Sequence, residues 1–332
     1  MLKRFFVDFR VAAVSPWLAA LVLKTWIIVL ILSAVLVPMS FADPHAQGVQ
    51  RSRGPFAPLA FGPSGDATKI ALGRDLFADR RLSRSEKLSC ASCHDLSTNG
   101  ASPTQADRGD SGQLTGWNTP TLFNSVHNFR FGWEGKTRNL QSFTLQTLTS
   151  QHLMGGKALA ARRLSADRKM RSRFQKIYAA PASDGNVADA LTAFMATLIT
   201  TDAPFDRWLR GDRTALNAQQ MRGFARFKVV GCASCHQGVN VGGNLSQRRG
   251  IFHPLGRPRP EYLRVPSLRN VAVTGPYFHD GSVATLPEAV RQMARAQLDL
   301  TISTRDANDI AAFLAALTGN YQGRRIRPAA AR

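Results

Sequence analysis

Every cysteine of this chain sits in one of two copies of the same pentapeptide, Cys90-Ala91-Ser92-Cys93-His94 and Cys232-Ala233-Ser234-Cys235-His236. A Cys-x-x-Cys-His unit is the attachment signature of c-type haem. Its two thiols add to the two vinyl groups of a porphyrin, and the two-residue spacer matches their separation. The adjacent histidine is then held under the iron as its proximal ligand. A thioredoxin-like redox pair needs no following histidine, and a zinc site needs other spacings. Two copies that use all the cysteines make coincidence a poor explanation. The expectation is two covalently bound haem c groups, ligated by His94 and His236.

The second axial position of each iron decides the chemistry. A strong ligand there makes an electron carrier, whereas an open or labile position can bind peroxide or oxygen. No lysine follows His236, and Met293 is the only methionine after it, with His253 and His279 as the other candidates. A thioether opposite histidine raises the potential of the iron, so Met293 is read as the ligand of an electron-entry haem. For the first haem the candidates are His127, His152, Met154, Met170 and Met195, and spacing singles out none of them.

The elements that must hold these residues read as helices, giving a mainly α fold class. Ile70 to Phe77 precedes the first motif. Asn217 to Val230 precedes the second, with Asn217 as N-cap and Met221, Phe224 and Phe227 at helical spacing. Ala193-Phe194-Met195-Ala196-Thr197-Leu198 echoes Ala312-Phe313-Leu314-Ala315-Ala316-Leu317, where each unit needs a closing helix. The charged, Pro-containing stretch from Ala203 to Asp212 reads as a join. The expected organisation is a targeting segment (1–42), an N-terminal cytochrome c-like domain (43–203), a C-terminal cytochrome c-like domain (204–322) and a solvated basic tail (323–332).

The chain has 332 residues, 44% of them apolar, enough to bury a sizeable core. Lys+Arg is 43 against Asp+Glu 22, a formal charge of +21 spread along the chain. Such a surface favours acidic partners or anionic lipid heads. Near the N-terminus, Lys3, Arg4, Arg10 and Lys24 precede the apolar run Trp26–Val37, and Ser40-Phe41-Ala42 ends in small residues. That pattern reads as a secretory signal cleaved after Ala42. The other reading is an uncleaved anchor, since Trp17–Val37 is nearly all apolar. Both place the remainder outside the cytoplasm, in the periplasm. No nucleic-acid recognition motif accompanies the charge, so nucleic acid is not an expected partner.

Further residues resemble the bacterial diheme cytochrome c peroxidase family over about residues 65–322. They are Leu72-Gly73-Arg74-Asp75-Leu76-Phe77, Arg81-Leu82-Ser83, Asn118 to Asn124, Trp133, Pro204-Phe205-Asp206, Val265 to Val271, Pro276 to Gly281 and the Met293 segment. The resemblance implies two cytochrome c-like domains. One carries a high-potential haem with His236 and Met293 as ligands, and the other a peroxide-binding haem on His94. It implies Trp133 as an electron relay between them. It also implies a calcium ion held by Asn118 and the backbone carbonyls of Thr274 and Pro276. The implied partners are hydrogen peroxide and a small acidic donor, a cytochrome c or cupredoxin, with a homodimer as the assembly. Arg264 and Arg269 are expected to neutralise haem propionates.

The chain also departs from that pattern. Carrying the register without gaps puts Asp110 where the family peroxidases have a distal histidine. It puts Phe143 and Leu153 where they have a Gln and a proton-handling Glu. Neither Phe nor Leu can move a proton, and the neighbouring His152 is the residue that could. Three functions are therefore weighed: a peroxidase, a diheme electron carrier, and a peroxide-dependent oxidase of a protein side chain. The last resembles the diheme enzyme that matures methylamine dehydrogenase, but that relative has Tyr in place of Met293.

Overall fold

The structure is a computed structural model that describes residues 54–60 and 65–330; the expected targeting segment lies outside them. Short polar side chains begin most of its long helices. The Asp66 carboxylate accepts the N–H groups of Thr68 and Lys69 at the start of α1 (Ala67–Phe77). Ser183 caps α6 (Asp184–Met195), and Ser303 caps α10 (Thr304–Ala315). Asn217, the expected N-cap of α8 (Ala218–Val229), forms a reciprocal capping box with Gln220. Each cap satisfies N–H groups that have no partner within the helix.

The remaining helices are α2 (Cys90–Cys93), α3 (Leu140–Thr149), α4 (Leu159–Ala166), α5 (Arg168–Tyr178), α7 (Pro204–Arg210) and α9 (Leu286–Leu298). The only ladders among the described residues are two short antiparallel pairs. β1 (Ser246–Arg248) pairs with β2 (Tyr262–Arg264), and β3 (Asn320–Tyr321) with β4 (Arg324–Arg325). The expectation of a mainly α chain is met.

Apolar side chains gather in two cores. One joins Leu72 and Leu76 of α1 to Phe174 of α5 and to Leu191 and Phe194 of α6. The other joins Phe205 of α7, Phe224 and Phe227 of α8, and Ile310 and Phe313 of α10. The same device builds both. Gly73 lets α1 press on α6: a Cβ there would lie 1.9 Å from the Ala190 carbonyl oxygen. Gly223 lets α8 press on α10, where a Cβ would lie 1.8 Å from that of Asp309. Phe77 meets Phe194 edge-on with ring centres 5.4 Å apart, and Phe227 meets Phe313 at 5.3 Å. The echoed hexapeptides of the sequence span the C-terminal ends of these two partner helices.

Three details differ from the sequence reading. Met221 is exposed rather than core, since only Phe224 and Phe227 of that stripe are buried. The expected join at Ala203–Asp212 is largely helix α7, which Pro204 starts without losing a needed N–H. Two outlying segments of the described residues also cross over. Phe56, before α1, packs against Phe205, Phe224 and Phe227 of the second core. Ile326, in the supposedly solvated tail, is buried in the first.

Candidate functional site

The second pentapeptide opens a large cavity. Its empty space, mouth included, is about 1590 Å³. Cys232, Cys235 and His236 line one part of it, and Met293, Val290 and Leu286 of α9 line another. His236 and Met293, 57 positions apart, thus share one mostly apolar space. Of the competing ligands, His253 is not in the lining and pairs with Asp299 at 2.7 Å. His279 does line the cavity, between two indoles: its ring centre lies 5.9 Å from Trp117 and 6.4 Å from Trp133.

The histidines are prepared as neutral ligands. Burial pushes the His236 imidazole down to about 4, against the partial support of the Val241 and Pro266 backbone. At neutral pH it is uncharged and keeps a lone pair for a metal. Gly242 allows the backbone to close on this ring. It has φ +128°, and a Cβ there would lie 2.2 Å from the Pro266 carbonyl oxygen and 3.3 Å from His236 Nδ1. His94 follows the four-residue helix α2, and its Nδ1 lies 3.0 Å from the Gly100 carbonyl oxygen. As an N–H donor there, Nδ1 leaves Nε2 as the ligand atom. Burial also holds His94 below the usual imidazole range.

The thiols distinguish the chemistries considered for this motif. Burial pushes Cys90 and Cys232 up to about 11. A redox pair needs the opposite shift, toward the thiolate. Among the described residues no group of three or more His, Cys, Asp or Glu side chains is placed to hold a metal ion. A buried neutral imidazole beside a mostly apolar space fits a haem, which Cys232 and Cys235 would attach and His236 and Met293 would hold.

Trp133 lines the same cavity, with its indole N–H donating to the Asn118 carbonyl at 2.7 Å. Its own carbonyl accepts the Arg264 N–H at 2.7 Å, and the Arg264 guanidinium lies 5.9 Å above its ring. Arg264 is buried and lines the cavity, and desolvation lowers it to about 10. It remains a cation at neutral pH, poised for an anionic group entering that space. Arg269 cannot share that expected role freely. Its guanidinium is fully buried against Asp206 at 2.7 Å and also donates to the Val239 and Ala57 carbonyls. Asn118, Thr274 and Pro276, the expected calcium ligands, all line this cavity.

Two of the expected distal positions, Asp110 and Leu153, meet. The Asp110 N–H donates to the Leu153 carbonyl at 3.0 Å. The Phe143 ring lies against Gly132, beside Trp133, and stacks with Phe131. His152 is occupied at both nitrogens: Nδ1 meets the Ser111 hydroxyl at 2.9 Å and Nε2 the Leu114 carbonyl at 3.3 Å. Its ring braces the 109–114 loop. Met154, Met170 and Met195 are packed in the first core, and His127 is half-buried within the field of Arg269. Sequence reasoning missed Asp107, whose charge acts on His94 and whose carboxylate accepts the hydroxyls of Ser102, Thr104 and Thr119. It also missed Trp117 and Gly242, because neither lies in a motif with its own spacing.

The model of the di-haem cytochrome c peroxidase family matches residues 67–214. The cytochrome c peroxidase Ccp of Escherichia coli K12 is 38% identical over 275 residues, which cover 77% of this chain but only 59% of that one. The cytochrome c551 peroxidase of Nitrosomonas europaea is 34% identical over 87% of this chain and 92% of its own length. Among solved structures, a MauG-like protein associated with microbial copper homeostasis shares the fold, with a TM-score of 0.67 and 24% identity. It is matched over 79% of this chain and 93% of that one. With two attachment motifs and a cavity that unites one of them with Met293 and Trp133, the chain belongs to the di-haem cytochrome c peroxidase family.

Proposed function

We propose that the protein is a periplasmic oxidoreductase, exported by a signal cleaved after Ala42, that reduces hydrogen peroxide to water. Each peroxide takes two electrons, from a small redox protein, and two protons. The observation that carries the reading is the shared cavity in which Cys232, Cys235, His236, Met293 and Trp133 all take part. When bound, the haems supply the iron for O–O cleavage and the redox couples that store the electrons.

The side chains have distinct tasks in this reading. Gly100 and Gly242 set the two histidine rings. Met293 raises the potential of the entry haem. Asn118 and Arg264 hold Trp133 between the two attachment motifs as relay. Arg264 neutralises propionate, with Arg269 committed to Asp206. Neutral oxygens from Asn118, Thr274 and Pro276 suit calcium. Donor docking belongs at the exposed Ile251 and Phe252, where the Phe252 N–H donates to the Ala296 carbonyl on the Met293 helix. Arg248 and Arg257 are exposed beside them. An apolar centre with a basic rim suits an acidic redox protein.

The occupied His152 ring, together with Phe143 and Leu153, favours a second reading, an electron carrier without peroxide chemistry. Stopped-flow absorbance separates the two. The protein is prepared with only its high-potential haem reduced and mixed with a slight excess of hydrogen peroxide. Rapid oxidation of both irons with reductant-dependent turnover is expected. Two low-spin, unreactive haems in the presence of calcium would leave the carrier.

A further inference from the structure

Helix α5 is amphipathic in an unusual sense. Its inner side buries Met170 and Phe174 in the first core. Its outer side exposes Arg168, Lys169, Arg171 and Lys176, with Ser172 and Gln175 between them. Helix α4, packed beside it, adds exposed Arg162. No acidic side chain lies within α5 to offset them. The nearby carboxylates are already engaged. Asp167 caps α5 and binds Arg81 at 2.8 Å, and Asp75 binds Arg173 at 2.8 Å.

Stability does not account for this arrangement. Arg168 and Lys169 are the first two residues of α5, at the positive end of the helix dipole, where acidic side chains are favoured. Like charges on one face also repel each other. Tolerating both costs suggests a negative partner.

The face also says what kind of partner fits. Protein interfaces are anchored by apolar and aromatic side chains at their centre. The exposed large hydrophobics of the described residues include Phe129, Ile251, Phe252 and Tyr262, but none between Leu159 and Tyr178. A lipid headgroup surface needs no such anchors. It offers phosphates, which guanidinium groups bind through paired N–H donors. We infer that the α4–α5 face binds the anionic phospholipid surface of the membrane. The protein is thereby held against it by charge, with the exposed Phe252 region left to a protein donor.

Vesicle flotation tests this with the haem-loaded exported protein. Vesicles of phosphatidylcholine alone are compared with vesicles containing about one third phosphatidylglycerol, at low and at high salt. Binding is expected only to the anionic vesicles and is lost at high salt, which screens exposed charges. Combined Arg168→Glu, Lys169→Glu and Arg171→Glu is expected to weaken binding about tenfold or more. Its melting temperature should hold or rise, because Glu suits the start of a helix. The milder Arg168→Gln, Lys169→Gln and Arg171→Gln combination is expected to fall between. Arg248→Glu with Arg257→Glu, on the other surface, is expected to change binding less than twofold.

Equal binding to neutral and anionic vesicles overturns the inference. So does an equal loss from the Arg248 and Arg257 changes, which would make net charge rather than this face responsible. Capture of a soluble acidic protein by this face, without vesicle binding, would replace the lipid surface with a protein partner. None of these readouts depends on peroxide turnover, so the functional reading stands or falls separately.

Discussion

Met293 and His152 show how differently two single side chains enter this site. Met293 lines the cavity that His236 faces, and a thioether there raises the potential of the iron. Met293→His should therefore lower the midpoint potential of one haem and leave the other unmoved, as read by spectroelectrochemical titration. An unchanged pair of potentials would mean that Met293 is only core filler. His152 instead spends both ring nitrogens on the 109–114 loop. His152→Ala is expected to cost about 1 kcal/mol in denaturant unfolding and to change peroxide consumption by less than threefold. A much larger loss of rate at intact stability would return His152 to proton transfer.

Among the elements, the two glycine contacts are the most exposed to test. Helices α8 and α10 approach so closely that a methyl group on Gly223 would meet the Asp309 carbonyl oxygen and the Phe313 Cβ. Overpacking of this kind costs about 1–3 kcal/mol. Gly223→Ala should lower the melting temperature. It should also disturb the second haem more than the first, because Phe227 and Ile310 line that cavity. Gly73→Ala, between α1 and α6, should lower the melting temperature similarly, through the first core. A melting temperature unchanged by either substitution would mean that the helices separate at little cost.

At the scale of the molecule, one buried ion pair fastens an outlying segment to the second core, and a shared hydroxyl links the two halves. Arg269 and Asp206 are fully buried, and Asp206 also accepts the Leu59 N–H while Arg269 donates to the Ala57 carbonyl. The pair thus ties the Gly54–Ala60 strap to α7 and to the Val265–Val271 segment. Between the halves, Asn124 and Asn270, both in left-handed backbone, donate to the same Thr200 hydroxyl. Breaking a buried pair leaves an uncompensated charge and costs about 3–5 kcal/mol. Asp206→Ala should destabilise by that order and open the strap to limited proteolysis before residue 67. Cleavage at the wild-type rate would show that the strap is held by Phe56 alone.

What was legible in the sequence is what short-range spacing determines. The two pentapeptides carry the haem-attachment signature in local spacing, because both thiols and the histidine lie within five residues. Capping and 3.6-residue periodicity mark the helices because those forces act within one or two turns. The uniqueness of Met293 makes it a candidate, but only the packing of α9 over the second motif puts it in the same cavity as His236. Tertiary structure alone decided the rest. It sets both Arg264 and Arg269 on the cavity wall and pairs only Arg269 with a carboxylate, Asp206. It turns His152 into the 109–114 loop, and it sends Phe56 into the second core and Ile326 into the first. These outcomes depend on competition between distant partners for buried charge and apolar area, and no local spacing records who wins.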